Sequence, residues 1–150
     1  MRSILPPTLV VILAAVAVVV GSFAPVVSMP PGWWRALGVI PVIAGLALAK
    51  RSSSLFEQQN TNVHTFRDPD KLVDTGAFAW SRNPMYLGFA TALSGVAVVV
   101  GGLSAWVAPI VFVIAADRWY IPFEEHRMAE CFGSGYDRYR QGTRRWIGRR

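Results

Sequence analysis

The chain has 150 residues, 53% of them hydrophobic, a mean hydropathy of +0.36 and a formal net charge of +6. That length sets a single domain as the expectation, and the apolar content exceeds what a soluble domain of this size carries, so the bilayer is the expected solvent. More than half of the fifteen basic residues lie from Arg118 onward. Basic residues beside membrane helices are retained at the cytoplasmic surface and lean on anionic lipid, so the excess calls for membrane lipids as partners and not for a nucleic acid. One cysteine, Cys131, permits no intrachain disulfide and supports no Cys-rich metal site.

Residues 8–28 form an uncharged run rich in Val and Ala. It is longer than the roughly 7 to 15 apolar residues of a secretory leader, so it reads as a first membrane helix with Pro25 near its end. Met29-Pro30-Pro31-Gly32 is a turn signal, and Trp33-Trp34 supplies interfacial aromatics before a second apolar run at 36–49. Lys50 and Arg51 close that run and open a polar stretch reaching Arg82, with turns at Asp68-Pro69-Asp70 and Thr75-Gly76. Asn83-Pro84 marks a helix start, with Asn at the N-cap and Pro at the first helical position. The uncharged stretch that follows is divided by Gly101-Gly102 into a tight hairpin, 84–100 and 103–121. Each arm measures roughly 25 Å at 1.5 Å per residue and is extended into the interface by Tyr86 and by Trp119-Tyr120.

Pro122-Phe123-Glu124-Glu125 reads as the opening of a separate C-terminal helix. Gly133-Ser134-Gly135 interrupts it, and Tyr136, Tyr139 and the terminal arginines read as an amphipathic helix packed on the membrane surface. The expected fold is all-α: an integral membrane bundle of about four transmembrane helices with a cytoplasmic loop and a C-terminal interfacial helix. Its parts are an N-terminal helix pair (1–56), the loop (57–83), the membrane hairpin (84–121) and the C-terminal helix with its basic tail (122–150). With both termini inside, Arg2, the 50–82 loop and the tail are cytoplasmic and the outer turns hold only Arg35, as the positive-inside rule favours.

The hairpin returns the chain to the membrane face it left, which sets the polar segment 72–86 opposite Glu124 and Glu125. Two glutamates in a first helical turn have a structural reading, stabilisation of the helix dipole by about 0.3 to 1 kcal/mol, and a functional one as a site beside Arg82 and Tyr86. Neighbouring residues on a helix point about 100° apart. The two carboxylates therefore take different tasks, one facing a pocket while the other pairs with an arginine such as Arg82 or Arg127. His64 and His126 are the only histidines and give no ligand spacing, so no metal is expected. Cys131 reads as a packed helix residue, and the absence of a Gly-rich phosphate loop argues against a soluble-type nucleotide fold.

Thr61-Asn62-Val63, Leu72-Val73-Asp74-Thr75-Gly76-Ala77-Phe78, Ser81-Arg82-Asn83-Pro84-Met85-Tyr86-Leu87-Gly88, Glu124-Glu125, Phe132-Gly133 and Tyr136-x-x-Tyr139 form an ordered set. Together they resemble the isoprenylcysteine carboxyl methyltransferase and phospholipid methyltransferase family. The resemblance implies an S-adenosylmethionine-dependent methyltransferase acting on a lipophilic or amphiphilic acceptor, with both termini and the site on the cytoplasmic side of a bacterial inner membrane. By position it implies that Leu72, Val73 and Phe78 line the adenosine end, that Asn83, Pro84, Met85 and Tyr86 meet the cofactor, and that Glu124 takes its amino group. Arg82, Tyr86 and Glu125 are the candidate catalytic residues. Asn83 stands where the prenylcysteine enzymes have His, and Tyr120 where they have an acceptor-binding Arg, which leaves Tyr120, Arg118 and Arg127 as acceptor-binding candidates. A membrane NADPH-dependent reductase of steroid-reductase-like layout and a non-enzymatic membrane scaffold are the competing readings.

Overall fold

The computed structural model describes residues 5–30, 32–58 and 71–149. The Thr61-Asn62-Val63 element, His64 and the Asp68-Pro69-Asp70 turn lie outside the described residues. Among the described residues the chain is helical, with no strand beyond two isolated bridges. Helix α1 spans Pro6–Phe23, α2 Val39–Gln58, α3 Pro84–Val100, α4 Val107–Ala115, α5 Ile121–Phe132 and α6 Ser134–Gly142. Three helical runs, Pro6–Phe23, Trp33–Gln58 and Leu103–Phe132, are long and apolar enough to cross a membrane, and Pro84–Val100 is a shorter apolar helix.

Two boundaries depart from the sequence reading, and the helix pair expected to reach 56 ends at Gln58, past its apolar run. Helix α1 ends at Phe23 because Ala24 precedes Pro25, whose ring disfavours helical backbone in the residue before it; Ala24 has φ −135° and ψ 56°. Helix α2 continues through Lys50 and Arg51 to Gln58. A charge ends the apolar phase, not the helix, and Lys, Arg, Leu and Glu are all good helix formers. Pro122 does not start a separate helix: Leu103–Phe132 is one helical run containing a π turn at Ala116–Tyr120. A proline inside an α-helix clashes with the carbonyl four residues earlier, here Arg118, and supplies no N–H to bond it. The π turn, whose bonds reach one residue further, stands directly before Ile121-Pro122 and carries the run past the proline.

The chain divides into two compact units. The first comprises residues 1–47 and 88–115. Its core is Leu13, Ala17, Leu93, Ala97, Ala105, Ala108 and Phe112, with Phe89 meeting Phe112 edge-on at 6.1 Å. The helical run Trp33–Gln58, which includes α2, touches α3 through small residues. A Cβ on Gly38 would lie 2.6 Å from the Gly95 carbonyl, one on Gly95 equally close to that of Gly38, and one on Gly45 would strike the Gly88 carbonyl. Membrane helices without side chains at the seam approach backbone to backbone and gain dispersion contact that lipid cannot match. At the turns, Met29 N–H donates to Gly101 O at 2.8 Å and Leu103 N–H to Val27 O at 2.9 Å. The outward faces remain apolar: Val11, Val18 and Val19 of α1 and Ile40 and Ile43 of α2 are exposed. In water such surface is an aggregation liability, and in lipid it is the ordinary outer face of an integral membrane protein.

The second unit comprises residues 48–87 and 116–150. It holds nearly all the charge, the π turn, the two C-terminal helices and every candidate site residue.

Candidate active site

The segment entering α3 is shaped first by a turn. Gly76 has φ +61°, a left-handed conformation that glycine adopts without strain, and opens a 3₁₀ turn, Gly76–Ala79. The turn buries Phe78, whose ring meets Phe56 edge-on at 5.0 Å, while Val73 is buried and Leu72 half-buried. Leu87 N–H donates to Asn83 O at 3.1 Å, so Asn83 occupies the N-cap of α3 with Pro84 after it. Its side chain is directed elsewhere: Asn83 Nδ2 donates to Arg145 O at 3.1 Å, and Asn83 N–H donates to Ser81 Oγ at 3.0 Å.

The carbonyl that receives the Asn83 amide belongs to a C-terminal strap, residues 143–149. Thr143 and Arg149 pair as an isolated bridge, and Arg144 N–H donates to Gly148 O at 2.9 Å. The strap lies along the entry to α3, with Arg82 N–H donating to Arg144 O at 3.0 Å and Gly148 N–H to Trp80 O at 2.7 Å. The Arg149 guanidinium sits 5.6 Å from the Trp80 ring centroid.

The glutamates separate in role as their helical angle requires. Tyr86 Oη donates to Glu124 Oε1 at 2.8 Å, and the Tyr86 and Tyr120 rings stack at 6.2 Å with 25° between planes. Glu125 is clamped by two arginines. Arg82 Nη2 lies 2.8 Å from Oε1, and Arg145 places Nε 3.2 Å from Oε1 and Nη2 2.6 Å from Oε2. The third nitrogen of Arg145, Nη1, reaches Asp117 Oδ1 at 3.1 Å, and Trp146 Nε1 donates to the same oxygen at 3.2 Å. The side chains of Arg82 and Glu125 are only 9% and 16% exposed. An ion pair this dry holds its geometry firmly, since removing either partner strands a charge away from water.

The structure thus joins Tyr86 to Glu124 and Tyr120, and Arg82 to Glu125. Pro84 is buried and Met85 half-buried in the first turn of α3. Arg118 is exposed on the π turn, and the Arg127 guanidinium lies over the Phe123 ring at 5.8 Å. His126 faces outward with Glu130, and among the described residues no group of three acidic, His or Cys side chains is placed to hold a metal.

Two expectations are corrected. The Tyr136 and Tyr139 side chains are engaged within the protein: Tyr136 is buried, and Tyr139 Oη donates to Phe78 O at 2.8 Å. Burial pushes the Tyr136 phenol up to about 12, with the Glu125 charge adding to the rise, and burial likewise raises Tyr139. Nor is Arg145 a snorkelling tail residue. Its hydrogen bond to Glu125, followed by that to Asp117, outweighs burial and holds its guanidinium above the ordinary arginine value. Asp117, Arg145 and Trp146 are site residues that motif reading missed; an acid set directly against a long uncharged run was the available signal for the first of them.

Comparison with known proteins bears on this geometry. The model of the phospholipid methyltransferase family matches residues 33–135. That span holds every residue from Leu72 to Glu125 described above and stops short of Arg145. An uncharacterized protein of Haemophilus influenzae is 33% identical over 63 residues, 42% of this chain and 100% of that protein. Protein-S-isoprenylcysteine O-methyltransferase B of Arabidopsis thaliana is 30% identical over 115 residues, 73% of this chain. The alignment covers 57% of the plant protein, so the chain spans little more than half that relative's length. With the family model matching more than half of its residues, the chain belongs to the phospholipid methyltransferase family.

Proposed function

We propose that the protein is a single-domain, integral membrane, S-adenosylmethionine-dependent methyltransferase that acts on a lipophilic or amphiphilic acceptor. The observation that carries this reading is the Tyr86–Glu124 hydrogen bond of 2.8 Å beside the stacked Tyr120 ring. S-adenosylmethionine carries an ammonium and a sulfonium. A half-buried carboxylate ordered by a phenol, next to two aromatic faces, is a donor set that fits both cations. Family membership and the isoprenylcysteine methyltransferase relative support the same reaction class.

When bound, the cofactor supplies an electrophilic methyl group, whose C–S bonding pair leaves to a neutral thioether as a lone pair of the acceptor bonds the carbon. The chain's residues contribute position. Glu124 takes the ammonium, and Tyr86 fixes the carboxylate rotamer by donating to Oε1. Leu72, Val73 and Phe78 offer the apolar wall for the adenosine end, and Asn83, Pro84 and Met85 hold Tyr86 at the head of α3. Glu125, with both oxygens held by Arg82 and Arg145, orients this wall and handles no proton. Such displacement chemistry depends mainly on approach geometry, so rigid placement is the form of catalysis expected. Tyr120, Arg118 and Arg127 border the acceptor's path, and the excess of basic residues in the C-terminal third supports a site and termini on the cytoplasmic side, in a bacterial inner membrane on this reading.

Calorimetry on the purified chain in neutral detergent tests the assignment. S-adenosylhomocysteine is expected to bind wild type and to lose about tenfold or more in affinity in Glu124→Ala, the scale of one charge-assisted contact. Absence of binding in wild type, or binding of NADPH in its place, overturns it.

A further inference from the structure

The strap has two sides. Its inner side carries the polar groups of Arg145 and Trp146 to Glu125 and Asp117. At its tip, where Gly148 turns the chain at φ +106°, Ile147 is 64% exposed. The bond from Gly148 N–H to Trp80 O, 2.7 Å, sets that tip beside Trp80, itself 63% exposed. A lone exposed apolar side chain needs no explanation, but an indole and an isoleucine side by side on a polar unit do. Arginines flank them: Arg149 lies over the Trp80 ring and donates from Nε to Ala79 O at 3.3 Å, and Arg144 is exposed. Residues 76–82 and 138–149, which build this surface, include no acidic residue. Trp80 also precedes Pro84, the first residue of the apolar helix α3, by four positions. Even fully extended, that length spans at most about 14 Å, so the indole stays within reach of the headgroup layer that α3 enters.

We propose that Trp80 and Ile147, flanked by Arg144 and Arg149, form a docking surface for the anionic headgroup layer of the chain's own bilayer, and that docking restrains the strap. Each part suits that partner. An indole settles at headgroup level, an aliphatic side chain reaches the acyl boundary, and arginines beside them gain from anionic lipid. The contact with the Trp80 ring holds Arg149 in place for this role. The strap itself is a short segment tied down by few backbone bonds, the kind of element that opens locally at small cost. Lipid at its tip opposes that opening from outside, while Glu125 and Asp117 hold Arg145 from inside. Anionic lipid therefore acts on the Glu125 clamp through the strap, an effect that does not depend on methyl transfer.

The test places the full chain, with Cys131→Ser and a nitroxide on Ile147→Cys, in nanodiscs of phosphatidylcholine or of equal parts phosphatidylcholine and phosphatidylglycerol. Collision of the label with oxygen, which partitions into lipid, is compared with collision with a nickel chelate, which stays in water. The oxygen-to-nickel ratio is expected to rise several-fold with phosphatidylglycerol. Arg144→Gln with Arg149→Gln is expected to abolish the rise, and Arg138→Gln, which removes an exposed arginine of α6 outside the surface, to keep it. In the unlabelled chain, hydrogen exchange of the peptide 143–149 is expected to slow several-fold with phosphatidylglycerol. The lipid comparison stands without the arginine variants, so a variant that misfolds does not decide the matter. A label equally open to the nickel chelate in both lipids overturns the docking surface. Equal loss of the rise in Arg138→Gln overturns it in favour of diffuse attraction by the basic unit. Dipolar broadening between labels, in nanodiscs holding two chains, overturns lipid as the occupant in favour of a second copy. Unchanged strap exchange in a docked chain overturns the restraint.

Discussion

At the scale of single residues, the neighbouring Glu124 and Glu125 have different partners, in keeping with side chains about 100° apart on a helix. Glu124 accepts from the Tyr86 phenol, whereas Glu125 is held by Arg82 and Arg145 at 2.6 to 3.2 Å. Glu125→Gln therefore acts through structure. It leaves two arginines facing a neutral amide and is expected to lower resistance to unfolding, while Glu124→Gln spares stability and weakens the donor. Arg145→Gln breaks contacts to Glu125 and Asp117 together. Its cost is expected at roughly 1 to 3 kcal/mol in denaturant unfolding, since the guanidinium is partly exposed. Arg145→Lys is expected to recover only part, because a lysine is one point charge where arginine offers three correctly spaced nitrogens. The Arg82 and Tyr86 partnership with the glutamates was legible from the hairpin, which returns the chain to its starting face. Arg145 was not. A tail arginine on a basic, amphipathic stretch has the same pattern whether it snorkels to lipid or folds inward, and only the strap decides.

At the scale of elements, hydropathy located the apolar helices well and their ends poorly. Apolar runs report where lipid stops, whereas α2 ends two turns beyond Lys50, at Gln58, and the Leu103–Phe132 run passes through Pro122 by a π turn. The first follows from the good helix formers beyond Lys50, which hydropathy does not score, and the second is written in no local residue preference. The seam between α2 and α3 depends on glycine instead. Gly38→Val is expected to force the backbones apart and destabilise the chain by about 1 to 3 kcal/mol, the usual cost of overpacking, measured by unfolding in mixed detergent. Helix α6 is tied to the 3₁₀ turn by Tyr139 and buries Tyr136. A phenol whose folded value lies above the unfolded value of about 10 favours folding fully below that pH, and loses that contribution as pH rises toward about 12. Alkaline titration is therefore expected to show Tyr136 and Tyr139 ionising late and together with loss of the α6 contacts. Ionisation of Tyr136 and Tyr139 near pH 10 contradicts this.

At the scale of the whole molecule, charge and hydropathy are divided along the chain: residues 1–47 and 88–115 are mostly apolar, and 48–87 and 116–150 carry the carboxylates and arginines. Composition made that division visible, and the positive-inside rule gives it a direction. Cys131, the one cysteine, is exposed and not packed as its helix position suggested, and it reports on that direction. A membrane-impermeant maleimide is expected to label Cys131 in inverted inner-membrane vesicles and not in intact spheroplasts, and the reverse pattern contradicts a cytoplasmic site. What composition did not reveal is the strap that closes the second unit, because its bonds are mostly backbone to backbone and leave no motif. The central claim, methyl transfer at a site built on Glu124, is tested most directly by isotope. Membranes containing the chain are incubated with S-adenosylmethionine labelled in its methyl group, and label is followed into the organic-extractable fraction. The account expects incorporation by wild type and its loss in Glu124→Ala with protein level unchanged. Equal incorporation by both, or none by a folded wild type across lipid extracts, contradicts it.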